Sequence, residues 1–285
     1  MRANGWAILA GSLCLVLFGA RQELVAAPPA KANQRDQMTQ ASLINSLMLG
    51  QYDGKWKIKE LLEWGDFGLG TLDHLDGELI VLDGQVFQVR GDGKVLKVSP
   101  EQTTPFAVMT FFQPEGTFSC PNLSSLAALD RFLERSIPKR NLFVSLRIEA
   151  RFDSITLRSV QRQEPPYKPL AEVAKSQSVW THKQVEGTLI GIRSPAWSVG
   201  LNVPGTHWHF LSRDRSVGGH VLDCTLQGGE VKYDLCRNWS VKLDDSPALD
   251  KLELESDLSR DLKRVESSRG SDDAPQSNFP ERKKP

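Results

Sequence analysis

Asp83-Gly84 stands between two runs of aliphatic and β-branched residues, Glu78 to Leu82 and Gln85 to Arg90. Asp-Gly between such runs is a strong signal for a two-residue hairpin, because both positions tolerate left-handed backbone angles. This commits the region to antiparallel pairing. Val95 to Val98 and Pro105 to Phe112 read as further strands. Leu142, Val144, Leu146 and Ile148 alternate with a period of two, and the strand continues or restarts through Ile155 and Leu157 to Arg158. Val185 to Ile192 and Trp197 to Val203 also have strand character, and Trp208 to Leu211 and Val221 to Leu226 read as hairpin partners. Helices are few. Leu43, Ile44, Leu47 and Met48 form one stripe closed by Gly50, and Leu126, Leu129, Phe132 and Leu133 mark a second helix ending near Pro138. The pattern predicts an α+β chain with mixed or antiparallel β-sheets and a few helices. Three prolines between Gln163 and Leu170 suggest a crossover or a domain joint, and a joint near 163–175 would divide two sheet-containing halves.

The ends differ from this body. Arg2 precedes an apolar run from Trp6 to Ala20. A spanning helix needs about 20 apolar residues, so the shorter run predicts an export signal. The expected division is residues 1–32 as signal and linker start, 33–266 as the folded body and 267–285 as a disordered tail, with 21–37 read as linker. The expected location is periplasmic or extracellular after cleavage, with no membrane contact, or membrane-anchored if the signal is retained. Lys+Arg 35 against Asp+Glu 35 gives zero net charge, which argues against a nucleic-acid partner. Beyond the signal, Cys120, Cys224 and Cys236 are too few for a disulfide framework, although Cys224 and Cys236 form a candidate pair. There is no CxxC pair to suggest a zinc ribbon. An exposed strand edge would suit a homodimer.

The sharpest chemical feature is His207-Trp208-His209. On a strand, residues i and i+2 share a face and lie about 7 Å apart. Two imidazoles would stand side by side, with Trp208 on the opposite face. Ser212 to Gly219 supplies turn residues that would fold His220 back beside them. Three neutral imidazoles on a strand hairpin suit a catalytic metal, because they leave positions open. Alone, the motif also fits buried or surface histidines. A cupin pattern fails, since Arg213 stands where that pattern wants Glu, and no HExxH occurs. His74 and His182 have no such partners in sequence and read as structural or exposed. Asp66-Phe67-Gly68-Leu69-Gly70-Thr71-Leu72 is Gly-rich, and its glycines suggest tight turns; no Lys-Ser/Thr follows, so it is not a phosphate loop. Glu78 opens an apolar strand, where an inward-facing acid would have a raised pKa and an outward-facing one would be solvated.

These stretches together resemble alpha-acetolactate decarboxylases. The resemblance rests on FGLGTLDHLDGELIVLDGQVFQV (67–89), the strand ending in Arg158, GTHWHF followed by GGHVLD within 205–223, and SLMLGQYDG (46–54). It spans about residues 38 to 266. It implies conversion of (S)-2-acetolactate to (R)-acetoin and carbon dioxide, with zinc or another divalent transition metal and no organic cofactor. By the same resemblance, His207, His209 and His220 are the metal ligands, Glu78, Arg158 and Glu266 are catalytic, and Thr71 lines the substrate pocket. Glu253 and Glu255 compete with Glu266 by position. A zinc hydrolase, or a non-catalytic metal- or ligand-binding module of the same fold, would use the same histidines.

Overall fold

The computed structural model describes Met1 and residues 34–267. The expected export signal and residues 268–285 of the expected tail lie outside the described residues. In chain order the elements are β1 (Gln37–Ala41), α1 (Ile44–Met48), β2 (Trp56–Lys57), α2 (Ile58–Trp64), β3 (Phe67–Thr71), β4 (Glu78–Leu82), β5 (Gln85–Val89), β6 (Val95–Lys97), β7 (Thr103–Thr104), β8 (Ala107–Thr110) and β9 (Gly116–Leu123). There follow α3 (Leu126–Ser136), β10 (Phe143–Ser159), α4 (Leu170–Val173), β11 (Ser178–Ser194), β12 (Gly205–Ser212), β13 (Gly218–Cys236), β14 (Asn238–Lys242) and α5 (Ser259–Glu266). The α+β reading with mixed and antiparallel sheets holds.

Seven strands form one sheet in the order β14-β1-β8-β3-β4-β5-β6, with only the β1–β14 pairing parallel. Five form the second in the order β10-β11-β12-β13-β9, and β13 also pairs back onto β10. Side-chain alternation stacks these layers. Leu79 and Val81 of β4 pack with Ile58, Leu61 and Leu62 of α2, whereas Ile80 and Leu82 face a core shared with Ile190 and Ile192 of β11. Leu129 and Leu133 of α3 cover the far side of the second sheet, over Leu146, Ile148 and Trp208. The order is therefore α2, first sheet, second sheet, α3. Asp83 and Gly84 both have positive φ, as the hairpin signal requires.

Several sequence expectations change. The 163–175 stretch does not divide two sheet halves. It links β10 to β11, which pair with each other from Val144–Arg193 to Ser159–Ser178. The chain passes between sheets after β8 instead, and β14 returns to the first sheet. Gln37 belongs to a strand rather than a linker. The Gly-rich stretch is strand β3, not a set of turns: a Cβ on Gly68 or Gly70 would collide with the backbone of Val108 or Phe106, so glycine permits close approach of β8. Trp197 to Val203 is not a strand, because Pro195 leads into a 3-10 turn at Ala196–Ser198 and Gly200 follows with φ +78°. Cys224 and Cys236 are free and buried. Both lie on β13, about 40 Å apart along one extended strand at the usual rise per residue, so they cannot bond.

An irregularity in β10 decides which way Arg158 faces. Val144, Leu146 and Ile148 face the α3 side, and so do Ile155 and Leu157, although their parity is opposite. Pairing with β11 skips a step around Asp153, opposite Gln184 at φ +52°, and pairing with β13 shifts register there too. This bulge inverts the facing of the rest of the strand. Arg158 thereby turns away from α3 and toward the first sheet.

Trp208 lies across Gly191 of the neighbouring strand β11, where an added Cβ would meet the indole ring. Gly191→Ala should therefore lower unfolding free energy by about 1–3 kcal/mol through overpacking, measured as a lower urea midpoint at unchanged slope. An unchanged midpoint would show that the indole can shift without cost.

Candidate active site

The seam between the two sheets gathers ionisable side chains from several elements. His207 and His209 stand on one face of β12, and Trp208 on the other donates its indole N–H to Asp130 Oδ1 of α3 at 3.0 Å. The β12–β13 hairpin pairs His209 with His220, as its turn sequence suggested. Ring centroids lie 4.9 Å apart for His207–His209, 4.9 Å for His207–His220 and 5.6 Å for His209–His220. One ligand atom from each imidazole falls within 4.8 Å of the others.

Neighbouring registers bring in the remaining groups. Arg158 sits opposite His220 in the β10–β13 ladder, and Thr71 sits opposite Glu78 in the β3–β4 ladder. Arg158 Nη1 donates to Glu78 Oε1 at 2.9 Å, and Nη2 to Glu266 Oε1 at 3.5 Å. Glu78 Oε2 lies 3.3 Å from His209 Nε2. Glu266 Oε2 lies 3.7 Å from His207 Nε2 and 3.8 Å from His220 Nε2. Glu266 ends α5, an amphipathic helix that buries Leu262 and Val265 in the shared core. Glu253 and Glu255, its competitors by sequence position, are exposed. Thr71 also lines the pocket, and its hydroxyl donates to Gly77 O at 2.7 Å, fastening the turn that delivers Glu78. Leu47, Leu75, Phe106, Val160 and Leu170 form an apolar wall in the same pocket. That wall was missed by sequence reasoning, since its residues come from separate segments with no common spacing.

The two carboxyls differ electrostatically. Burial pushes Glu78 upward, but attraction to Arg158 and His209 outweighs it and leaves the group below the usual carboxylate range. Burial pushes Glu266 up to about 7, reinforced by the charge of Glu78 and only partly opposed by Arg158. Burial, with the nearby charges of His209 and Arg158, holds His207 well below the ordinary imidazole range; burial and the charges of Arg158, His207 and His209 do the same for His220. Neutral rings keep a lone pair for a cation.

The donor set fits a divalent transition metal. His209 Nδ1 donates to Leu79 O at 2.9 Å, which leaves Nε2 as the ring nitrogen that a cation would engage. His209 Nε2 and His207 Nδ1 are buried and make no hydrogen bond. An unsatisfied buried polar atom costs about 1–3 kcal/mol, a cost that a bound cation removes. Two other groups of possible ligand residues occur among the described residues, Asp53 with Asp73 and His74, and Asp36 with Glu115 and Asp234. Neither lies in this pocket. His74, expected to be structural or exposed, lies 2.5 Å by its Nδ1 from the Tyr167 hydroxyl.

Comparison with known proteins agrees with the geometry. The family profile described as alpha-acetolactate decarboxylase matches residues 38–256. Glu266 lies beyond that match. An alpha-acetolactate decarboxylase of Methanosarcina mazei is 41% identical over 239 residues, covering 84% of this chain and 83% of that protein. The one from Klebsiella aerogenes is 44% identical over 196 residues, covering 68% and 75%. The crystal structure of the Bacillus subtilis strain 168 enzyme superimposes with a TM-score of 0.79 at 34% identity, covering 81% of this chain and 100% of that one. With this likeness over most of its length, the chain belongs to the alpha-acetolactate decarboxylase family.

Proposed function

We propose that this chain converts (S)-2-acetolactate to (R)-acetoin and carbon dioxide, with His207, His209 and His220 holding a divalent transition metal and Glu266 carrying the proton. The observation that supports this most directly is one guanidinium, Arg158, holding two carboxyls whose pKa values are driven in opposite directions, beside three clustered imidazoles. When bound, the metal supplies Lewis acidity toward oxygens of the substrate.

The residues divide the remaining work. Arg158 offers a planar fork of donors, and its Nε has no hydrogen-bond partner among the described residues, so a donor remains for a substrate oxygen. The bond between the carboxylate carbon and C2 breaks, and carbon dioxide leaves. The electron pair passes into the adjacent ketone, giving an enediolate, and Arg158 offsets the negative charge that develops there. Because the ketone is the electron sink, the scheme asks for no thiamine or pyridoxal. Glu266 then gives its proton to C2, which forms the acetoin C–H bond. Glu78 stays ionised and fixes Arg158. The apolar wall takes the substrate's methyl groups.

The first test adds racemic acetolactate to the purified chain before and after EDTA, with acetoin followed by a chiral assay. One enantiomer should form rapidly, stop with EDTA and return with added metal. Acetoin no faster than the spontaneous rate, from folded protein with metal bound, would favour a binding module; turnover of esters or amides instead would favour a hydrolase.

Arg158→Ala should keep its metal content and lose about 10²- to 10³-fold in kcat/KM, as expected when a preorganised charge is removed. His207→Ala should lose the metal and activity together. Elemental analysis beside kinetics separates these outcomes, and full activity in either variant would overturn the assignment.

Glu266→Gln keeps the shape of the side chain and removes its proton. It should lower kcat by about 10²- to 10⁴-fold with metal retained. Near-normal kcat and unchanged enantiomeric purity would exclude Glu266 as the proton carrier.

A further inference from the structure

Three loops cross beside the pocket, and their ties converge on Tyr167. Its hydroxyl donates to Asp53 Oδ1 at 2.5 Å and lies 2.5 Å from His74 Nδ1. Burial and the Asp53 carboxylate both hold that hydroxyl protonated, so its single hydrogen is committed to Asp53 and it accepts from His74. Around this bridge, His74 N–H donates to Tyr52 O at 2.8 Å, Gln163 N–H to His74 O at 2.8 Å, and Gly54 N–H to Asp73 Oδ1 at 2.6 Å. The Tyr52 ring meets the Tyr167 ring edge-on at 5.1 Å, and Tyr52 Oη donates to Lys168 O at 2.9 Å.

These ties restrain a strained turn. His74 and Leu75 are consecutive non-glycine residues with φ of +58° and +55°. The left-handed region costs such residues about 1–2 kcal/mol each, so the turn needs support from its surroundings. Residues shortly after the two tied positions line the pocket. Leu75 follows His74 directly and Leu170 follows Tyr167 by one short step; both line the apolar wall, and Glu78 begins the strand that leaves the turn.

We propose that Tyr167, with His74, is a positioning pair that clamps the 163–169 segment to the β3–β4 turn and so sets the apolar wall, Leu75 and Leu170, against which acetolactate is oriented. The proposal rests on acetolactate being the substrate. Neither residue touches the reacting atoms. Loss of the clamp widens the wall and weakens binding in the ground state and transition state alike, which raises KM more than it lowers kcat.

The test compares Tyr167→Phe and His74→Asn with the wild-type chain. Phenylalanine keeps the ring packing and removes the hydroxyl; asparagine tolerates the left-handed angle and removes the imidazole bridge. Both variants should show KM for acetolactate raised about tenfold, the equivalent of one buried hydrogen bond, with kcat within about twofold and metal content unchanged. Hydrogen exchange, which needs no turnover, should quicken in the peptide covering residues 73–78. Unchanged KM with unchanged exchange would overturn the proposal. So would a lower melting temperature with unchanged KM, which marks a purely structural role, or a loss confined to kcat, which marks a catalytic one. Failure of the wild-type chain to convert acetolactate would overturn the substrate assignment and with it the orienting role, while the exchange data would still report whether the clamp holds the turn.

Discussion

The buried pairing of Arg158 with Glu78 is the contact around which the site is arranged. Both side chains are nearly sealed from water, and their atoms meet at 2.9 Å. A buried charge without a partner costs several kcal/mol, so each of these residues is stabilised at the seam by the other. Glu78 comes from the first sheet and Arg158 from the second. Their pairing therefore sets the position of one sheet against the other at the edge of the shared core. One guanidinium balances one carboxylate. When α5 brings Glu266 to the same cation, the second acid finds that charge already compensated, and burial raises its pKa to about 7. A carboxyl raised to about 7 beside one held low is the consequence of this charge balance.

Alternation along the strands made most of the fold legible. The Asp83-Gly84 hairpin, the period-two run from Leu142 and the hairpin carrying His220 were all readable, because each signal is local. Features that failed depended on a neighbour. Gly68 and Gly70 suggest turns until β8 is known to lie against them. The prolines of 163–169 suggest a boundary between domains, yet a long loop between paired strands has the same composition. Gln37 and the short helix at 58 are too brief to give a clear period.

Within the site, legibility divided in the same way. His207 and His209 declare themselves by spacing, and His220 by the turn before it. Glu78 could be placed on its strand, but whether it was solvated or buried depended on the second sheet. Arg158 had no local signal. Its facing depends on the bulge near Asp153, and the sequence shows this only as a strand that either continues or restarts. Glu266 was harder still. Lys263-Arg264-Val265-Glu266 has no distinctive motif, and only the docking of Leu262 and Val265 turns its carboxyl inward. Resemblance to a family located these last two residues where physical pattern alone could not.

The two carboxyls also differ in their access to water, and this bears on their roles. A proton carrier must be refilled after every turnover, so it needs a route to solvent as well as a raised pKa. The Glu266 side chain keeps 18% of its surface exposed, against 8% for Glu78. An ion-pair partner has the opposite requirement, since water would weaken its hold on Arg158. Glu78 is delivered by a strand buried on both faces, and Glu266 by a surface helix with two anchoring side chains. In the proposed mechanism the static charge therefore stands on the inner strand and the exchanging proton on the outer helix, with one cation between them.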